Sequence, residues 1–436
     1  MLQFLKYVLA TLVGIFLFSV LTIMIFAGIG SALSSDERVI ISDKSVLKLD
    51  LNRTIQEIGV ENPFSDLGSP FGGESVTGLN DILQAIKYAK TDANIKGIYL
   101  QSDATLSGWA MLEEIRNQLI DFKKSGKFIV TYAEAYSEKG YYLASVADKI
   151  YLNPSGDLEW NGISAEYQFF KGTFDKLGVK PEVFRVGEFK SAVEMFSRTD
   201  MSEASKKQST ELLGAINNNF LKNVSTSRSI PQEQLKKLAD SLLIDNPIAA
   251  LKYKLVTHLS YWDEVEKNLK KELQVEAKKD VPFINITKYL KGVDTNETGD
   301  INKRIAILVA DGEITSGEGD NGSIGSTKFI KELRKARQDE KVKAIVLRIN
   351  SPGGSALASD VMWREIQLTS KEKPIIASMS DVAASGGYYM AMGCDTIVAQ
   401  PNTITGSIGI FGLIFNVTDF MNNKLGVTFD GVGTSP

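Results

Sequence analysis

The sequence predicts an α/β protein assembled from two copies of one unit and tethered by a single N-terminal transmembrane helix. Three observations carry this: an uncharged apolar run at the start, short strand-like runs alternating with longer amphipathic ones, and matching segments that recur at one fixed spacing. Alternating strands and helices are the signature of an α/β architecture. Recurrence at one spacing is that of an internal repeat.

The elements follow in order. No charged side chain lies between Tyr7 and Ser35. Leu9 to Ile29 alone supplies the roughly 20 apolar residues that a helix needs to cross a bilayer. A cleavable leader would end near Gly30-Ser31-Ala32, but its apolar core would run only about 7–15 residues. The longer run predicts an uncleaved anchor over residues 1–35. Lys6 and the amino terminus flank it on one side, Asp36, Glu37 and a lone Arg38 on the other. The positive-inside bias then leaves the N-terminus in the cytoplasm and the body of the protein outside it.

Residues 45–49, 95–100, 128–133 and 149–152 read as strands, with helical spacing at 79–88 and 110–122. The order returns with strands at 305–309, 344–349, 375–379 and 396–399 and a helix at 327–337. Ile95-Lys96-Gly97-Ile98-Tyr99-Leu100 matches Val342-Lys343-Ala344-Ile345-Val346-Leu347. Tyr141-Tyr142 matches Tyr388-Tyr389, Pro154 matches Pro401, and every pair is 247 positions apart. Helical stretches at 203–223 and 231–242 lie between the copies, and the polar run from Asp294 to Asp300 reads as a linker. The expected organisation is an anchor at 1–35, a first repeat at 36–293, a linker at 294–303 and a second repeat at 304–436. The same spacing carries Lys190 to position 437, one past Pro436, so the second repeat is expected to be cut short at its C-terminal end.

Composition narrows the chemistry. The 436 residues are 43% hydrophobic and 23% charged, with a net charge of −4, which offers no basic footprint for nucleic acid. Lys206-Lys207 and Lys278-Lys279 read as solvated helix faces. The single cysteine, Cys394, excludes an internal disulfide, and together with the single histidine, His258, it excludes the common zinc sites. No metal or cofactor is expected. Cys394 reads as a structural thiol and His258 as a structural imidazole.

Glycine turns concentrate in the second half. Asn350-Ser351-Pro352-Gly353-Gly354-Ser355 follows an apolar strand, and so does Ala383-Ala384-Ser385-Gly386-Gly387. Paired glycines at a strand end let the backbone turn sharply and bring its N–H groups near a ligand. A serine between small residues, where a strand meets a helix, presents its hydroxyl unobstructed, and N–H groups at a helix start suit an oxyanion. Taken singly, each is also an ordinary packing turn. In the first half the aligned positions are Leu106-Ser107-Gly108 and Glu138-Lys139, so the glycine pair and the serine occur in one copy only. Turns needed for packing alone would be kept in both. A serine nucleophile needs a base, and a lysine serves if burial keeps its amine neutral. Lys190, between Phe189 and Ala192-Val193, is one candidate among many lysines.

Four segments in this order resemble the long, duplicated form of the signal peptide peptidase A (protease IV) family: Val186-Gly187 through Lys190-Ser191-Ala192-Val193-Glu194, the Asn350–Ser355 turn, Ala384-Ser385-Gly386-Gly387-Tyr388, and Thr405-Gly406-Ser407-Ile408-Gly409-Ile410. The resemblance covers nearly the whole chain. It implies a ClpP/crotonase-like fold of tandem β-β-α units and a Ser/Lys dyad split between the copies. Ser385 matches the nucleophile, Lys190 the base, and Ser407 a serine that hydrogen-bonds the lysine. Gly354 and Gly386 are the expected oxyanion donors. The implied activity is hydrolysis of residual signal peptides by a single-pass protein of the inner (cytoplasmic) membrane, its catalytic body on the periplasmic side. The implied partners are peptide substrates, membrane lipid around the helix, and further copies in a homo-oligomer, a tetramer for the duplicated form. A crotonase-like acyl-CoA enzyme and a non-catalytic membrane scaffold are the alternatives.

Overall fold

The computed structural model describes residues 1–33, 39–59, 76–293, 299–320 and 322–435. Residues 34–38 at the end of the expected anchor and 294–298 of the expected linker lie outside them. Helix α1 (Leu2–Leu33) contains a span from Gln3 to Met24 of mean hydropathy 2.3 with no part buried against the protein. Its two threonine hydroxyls are satisfied within the helix, Thr11 donating to the Tyr7 carbonyl and Thr22 to that of Phe18. In hydrocarbon no water would do so.

The chain continues through β1 (Ser45–Asp50), α2 (Leu79–Thr91), β2 (Ile95–Gln101), α3 (Trp109–Lys123), β3 (Phe128–Tyr136), α4 (Glu138–Ala144) and β4 (Lys149–Leu158). Next come α5 (Lys171–Leu177), β5 (Lys180–Arg185), α6 (Glu194–Ser197), α7 (Glu203–Arg228), α8 (Gln232–Asp240), α9 (Pro247–Lys252), β6 (His258–Leu259), α10 (Trp262–Leu273), β7 (Phe283–Asn285) and α11 (Ile286–Gly292). The second half holds β8 (Arg304–Asp311), β9 (Glu313–Thr315), β10 (Ser323–Gly325), α12 (Ser326–Gln338), β11 (Val342–Ser351) and α13 (Ala356–Ser370). It continues with β12 (Ile375–Ala384), α14 (Gly386–Ala391), β13 (Thr396–Val398), β14 (Ile404–Gly406) and β15 (Phe411–Asn416), followed by short helical turns at Thr418–Phe420 and Met421–Leu425.

Two parallel sheets organise these elements, as expected of the α/β class. The first has the order β6-β4-β3-β2-β1-β7; the second has the order β13-β12-β11-β8, with β14 also pairing β12. Alternate residues of a strand face opposite sides. In the first sheet Leu47, Ile98 and Leu100 pack with Ile82, Ile86, Ile115 and Leu119 of α2 and α3. On the opposite face Val46, Tyr99, Val130 and Tyr151 pack under Val265, Leu269 and Leu273, which recur every fourth residue of α10. The second sheet buries Ile345, Leu347 and Ile375 against Phe329, Leu333, Met362 and Ile366 of α12 and α13. Its other face carries Ile305, Ile307, Ile376 and Val398 exposed, and no described helix covers them.

The halves meet where β12 lies against α3. Asp381 in β12 accepts hydrogen bonds from the N–H groups of Gly108 (3.1 Å), Ala110 (2.8 Å) and Met111 (2.9 Å) at the start of α3, where unpaired donors favour a carboxylate. A Cβ at Gly108 would collide with that carboxylate. Arg348 in β11 reaches across to Glu57 (2.9 Å) and Glu114 (2.8 Å). Among the described residues one strand pairing crosses the sequence division into repeats. β5 lies in the stretch assigned to the first repeat, yet it pairs antiparallel with β15, Arg185 opposite Phe411. Aromatic packing supports it: Phe415 of β15 packs tilted against Phe174 and edge-on against Phe196, which flank β5 in the sequence, at 5.4 and 5.9 Å between ring centres.

Candidate active site

Ser385 stands between the end of β12 and the first turn of α14, with φ 53° and ψ −114°. A non-glycine residue at positive φ stores about 1–3 kcal/mol of strain and persists only where its surroundings impose it. Here the Ser385 N–H donates to the Gly406 carbonyl (2.9 Å), and its carbonyl accepts from Tyr389 N–H (2.9 Å). The hydroxyl makes no capping bond to its own helix and so stays available. Gly353, at φ +97°, lies against it: a Cβ there would sit 2.5 Å from the Gly386 nitrogen and 2.8 Å from the Ser385 Cβ.

Because Ala384 pairs with Gly406, the residue after β14 falls beside Ser385. That residue is Ser407, also at positive φ. Lys190 arrives from the other side. The β5–β15 ribbon continues as Val186 N–H donating to the Ile410 carbonyl (3.3 Å), which brings the loop after β5 alongside residues 407–410. The Lys190 side chain, 5% exposed, ends 3.2 Å from Ser385 Oγ, 3.0 Å from Ser407 Oγ and 2.5 Å from the Ser407 carbonyl. Burial lowers the affinity of its amine for a proton, and no carboxylate offsets this.

The three oxygens around Nζ can take the three donors of an ammonium, and they also accommodate a neutral amine. Such an amine has two N–H donors and one lone pair. Two acceptors on Ser407 can take the donors, which leaves the lone pair for the Ser385 hydroxyl proton. The N–H groups of Gly354 and Gly386 have no acceptor among the described residues, whereas that of Gly353 is engaged by Ser351 Oγ at 3.2 Å. The structure thus brings Ser385, Lys190 and Ser407 into contact and sets Gly386 next to Ser385. Gly354 follows one peptide after the glycine that touches the serine.

Other candidates are accounted for elsewhere. His258 is exposed, stacked on Tyr151 and bonded to Thr257 Oγ1 (2.8 Å). Burial pushes the Cys394 thiol up to about 12, which makes it unreactive. In the first half, Glu138 accepts N–H bonds from Asn161 and Gly162, and Lys139 Nζ donates to the Ser107 carbonyl. Sequence reasoning missed Glu194, although it ends the quoted lysine segment. Its carboxylate pairs with Arg185 at 2.9 Å and accepts from the Ser202 hydroxyl (2.7 Å) and N–H (3.1 Å).

The profile of peptidase family S49 matches residues 121–276 and 367–436. Protease 4 of Salmonella typhi is 37% identical over 435 residues, covering 96% of this chain and 70% of that one. The chloroplastic serine protease SPPA of Arabidopsis thaliana is 41% identical over 329 residues, 74% of this chain and 48% of that one. The chain therefore spans 70% and 48% of the lengths of these two relatives. Among solved structures, a membrane-bound stomatin-specific protease in complex with a substrate peptide aligns over 57% of this chain and 99% of that one, at 11% identity and a TM-score of 0.30.

Proposed function

This chain belongs to peptidase family S49, and from that premise we propose that it is a serine endopeptidase in which Lys190 activates Ser385. The observation that carries the reading is the 3.2 Å approach of a buried lysine amine to the hydroxyl of a strained serine. A general base must stand within hydrogen-bond reach of the proton it removes.

In this mechanism the neutral Lys190 amine takes the Ser385 proton as Oγ attacks the scissile carbonyl. The carbonyl oxygen, now negative, is held by backbone N–H groups of the glycine turns, Gly354 and Gly386. Losing one such donor typically costs about 10²–10³ in rate. The lysine ammonium then protonates the leaving amine, and an acyl-Ser385 ester remains. A water molecule, deprotonated by Lys190, releases the second product. Ser407 keeps the amine aimed by accepting both of its N–H bonds.

The substrates we propose are residual signal peptides, apolar segments left in the membrane in which α1 is anchored. Phe184, Val186, Ile408 and Ile410 are exposed beside the site and suit such material. The proposed setting is the inner membrane with the body on the periplasmic side, and the proposed assembly is a homo-oligomer. The test uses Lys190→Ala and Ser385→Ala with a fluorogenic peptide. Both should lose turnover by about 10³-fold or more, and the wild type should be labelled at Ser385 by a fluorophosphonate. Wild-type turnover in either variant would remove the dyad. Thioester turnover without labelling would favour the acyl-CoA reading.

A further inference from the structure

We propose that Glu194 is a positioning residue for the Lys190 amine, acting by closing the loop of residues 186–193 at its base. That loop leaves β5 after Arg185 and ends where α6 begins at Glu194. The two terminal residues are joined directly, Arg185 Nη1 to Glu194 Oε1 at 2.9 Å. The carboxylate is 4% exposed, and its two oxygens also take the Ser202 hydroxyl (2.7 Å) and the Ser202 N–H (3.1 Å). One buried carboxylate therefore ties together the end of β5, the lysine loop and the start of α7.

Inside the closed loop the chain is wound by two short bonds, Ser191 N–H to the Phe189 carbonyl and Glu194 N–H to that of Ser191. Val193 is buried next to the carboxylate. Among the described residues Lys190 has no salt bridge, and its amine meets only Ser385 and Ser407. Its placement thus depends on the two ends of its loop. One end is set by the pairing of β5 with β15, the other by Glu194. Arg185 is the charged group that faces Glu194, and α7 presents to it only the uncharged Ser202. If Glu194 were only a helix anchor, Ser202 would suffice, since it already caps α7 by accepting from Ser205 N–H (3.1 Å).

Opening the loop would let water reach the amine and raise its proton affinity, and would move it from the serine. A misplacement of about 1 Å costs on the order of 10² in rate. The inference rests on the dyad reading for its catalytic readout alone. A second readout, the pH dependence of Lys190 acetylation by trace acetic anhydride followed by mass spectrometry, needs no turnover. The full chain is compared as wild type, Glu194→Ala, Glu194→Gln and Arg185→Met. In Glu194→Ala and Arg185→Met, the Lys190 titration should move up by about one pH unit. The acid limb of kcat/KM should move with it, and kcat should fall about tenfold or more while KM changes less than about twofold. Glu194→Gln keeps an acceptor for Ser202 and should fall between. Should Glu194→Ala fail to fold, Arg185→Met carries the test. Folded variants with a wild-type Lys190 titration and wild-type kcat would overturn the proposal. Turnover surviving Lys190→Ala would remove the dyad but leave the acetylation result to judge Glu194.

Discussion

In the proposed dyad Lys190 must be both buried and basic, and the two demands conflict. An ammonium loses its hydration on burial, so the folded protein prefers the neutral amine, and the proton affinity falls below its unfolded value of about 10.4. The linkage has a definite sign. Below the lowered folded value the amine is charged in both states and the burial penalty is present in full. Between the two values the unfolded chain binds more protons, so stability rises with pH. Above about 10.4 the penalty is gone. Lys190→Met should therefore abolish turnover yet raise the unfolding midpoint at pH 7, with a gain that shrinks as the pH approaches 10; thermal melts across pH check this. Serine and lysine were legible in the sequence because the second half alone keeps the glycine-flanked serine and because four motifs resemble a known family. The strained φ of Ser385 was not, since no local pattern encodes a conformation imposed by Gly406 and Tyr389. Nor was the contact of Gly353 with the serine, because adjacent glycines look alike until the backbone path is known.

Elements show why only one copy leaves a serine hydroxyl uncommitted at this turn. In the first half Ser137 caps α4 by accepting from Gly140 N–H at 3.1 Å, and the helix starts at Glu138. In the second half α14 starts one aligned position later, at Gly386, and Ser385 leaves its helix uncapped by its side chain. Strands β1–β4, β8 and β11–β13 and helices α2, α3 and α12 were legible from apolar runs and helical spacing, whereas β6, β7 and β14, of two or three residues each, are too short to leave a pattern. The β5–β15 pairing was not, because two strands far apart in the sequence carry no local sign of each other. Yet that ribbon brings Lys190 to Ser407. A two-stranded ribbon is marginal without support, and here the support is the ring cluster of Phe174, Phe196 and Phe415. Phe415→Ala should weaken the ribbon and lower kcat/KM by about tenfold or more, by the cost of misplacing a catalytic group. Both sheets should keep their circular dichroism and their main unfolding midpoint, since neither includes β5 or β15.

For the whole molecule, the proposed dyad exists only if the two halves hold a fixed relation, and polar groups dominate their contact. Asp381 lies on β12, four residues before Ser385, and is held by three N–H groups of the first half. Arg348 is largely buried and is flanked by Glu57 and Glu114 from the first half and by the hydroxyls of Ser378 and Ser380. Paired charges in low dielectric balance their desolvation cost, but a lone one does not, and removing one partner of such a set costs about 3–5 kcal/mol. Glu57 Oε1 has no partner among the described residues, and burial already pushes the Glu114 carboxyl above the usual range, so this cluster has little slack. Arg348→Met keeps the bulk and removes the charge. It should destabilise the protein by about 3–5 kcal/mol at pH 7 in urea unfolding, by the same reasoning. The loss should shrink as the pH falls toward 5, because Glu114, freed of its cation, takes up a proton in the folded state first. Peptidase activity should fall more steeply than stability with added urea, since the halves separate before either core opens. A variant that kept wild-type stability across this range would mean that apolar packing of α3 on β12, and not the buried arginine, sets the spacing between Lys190 and Ser385.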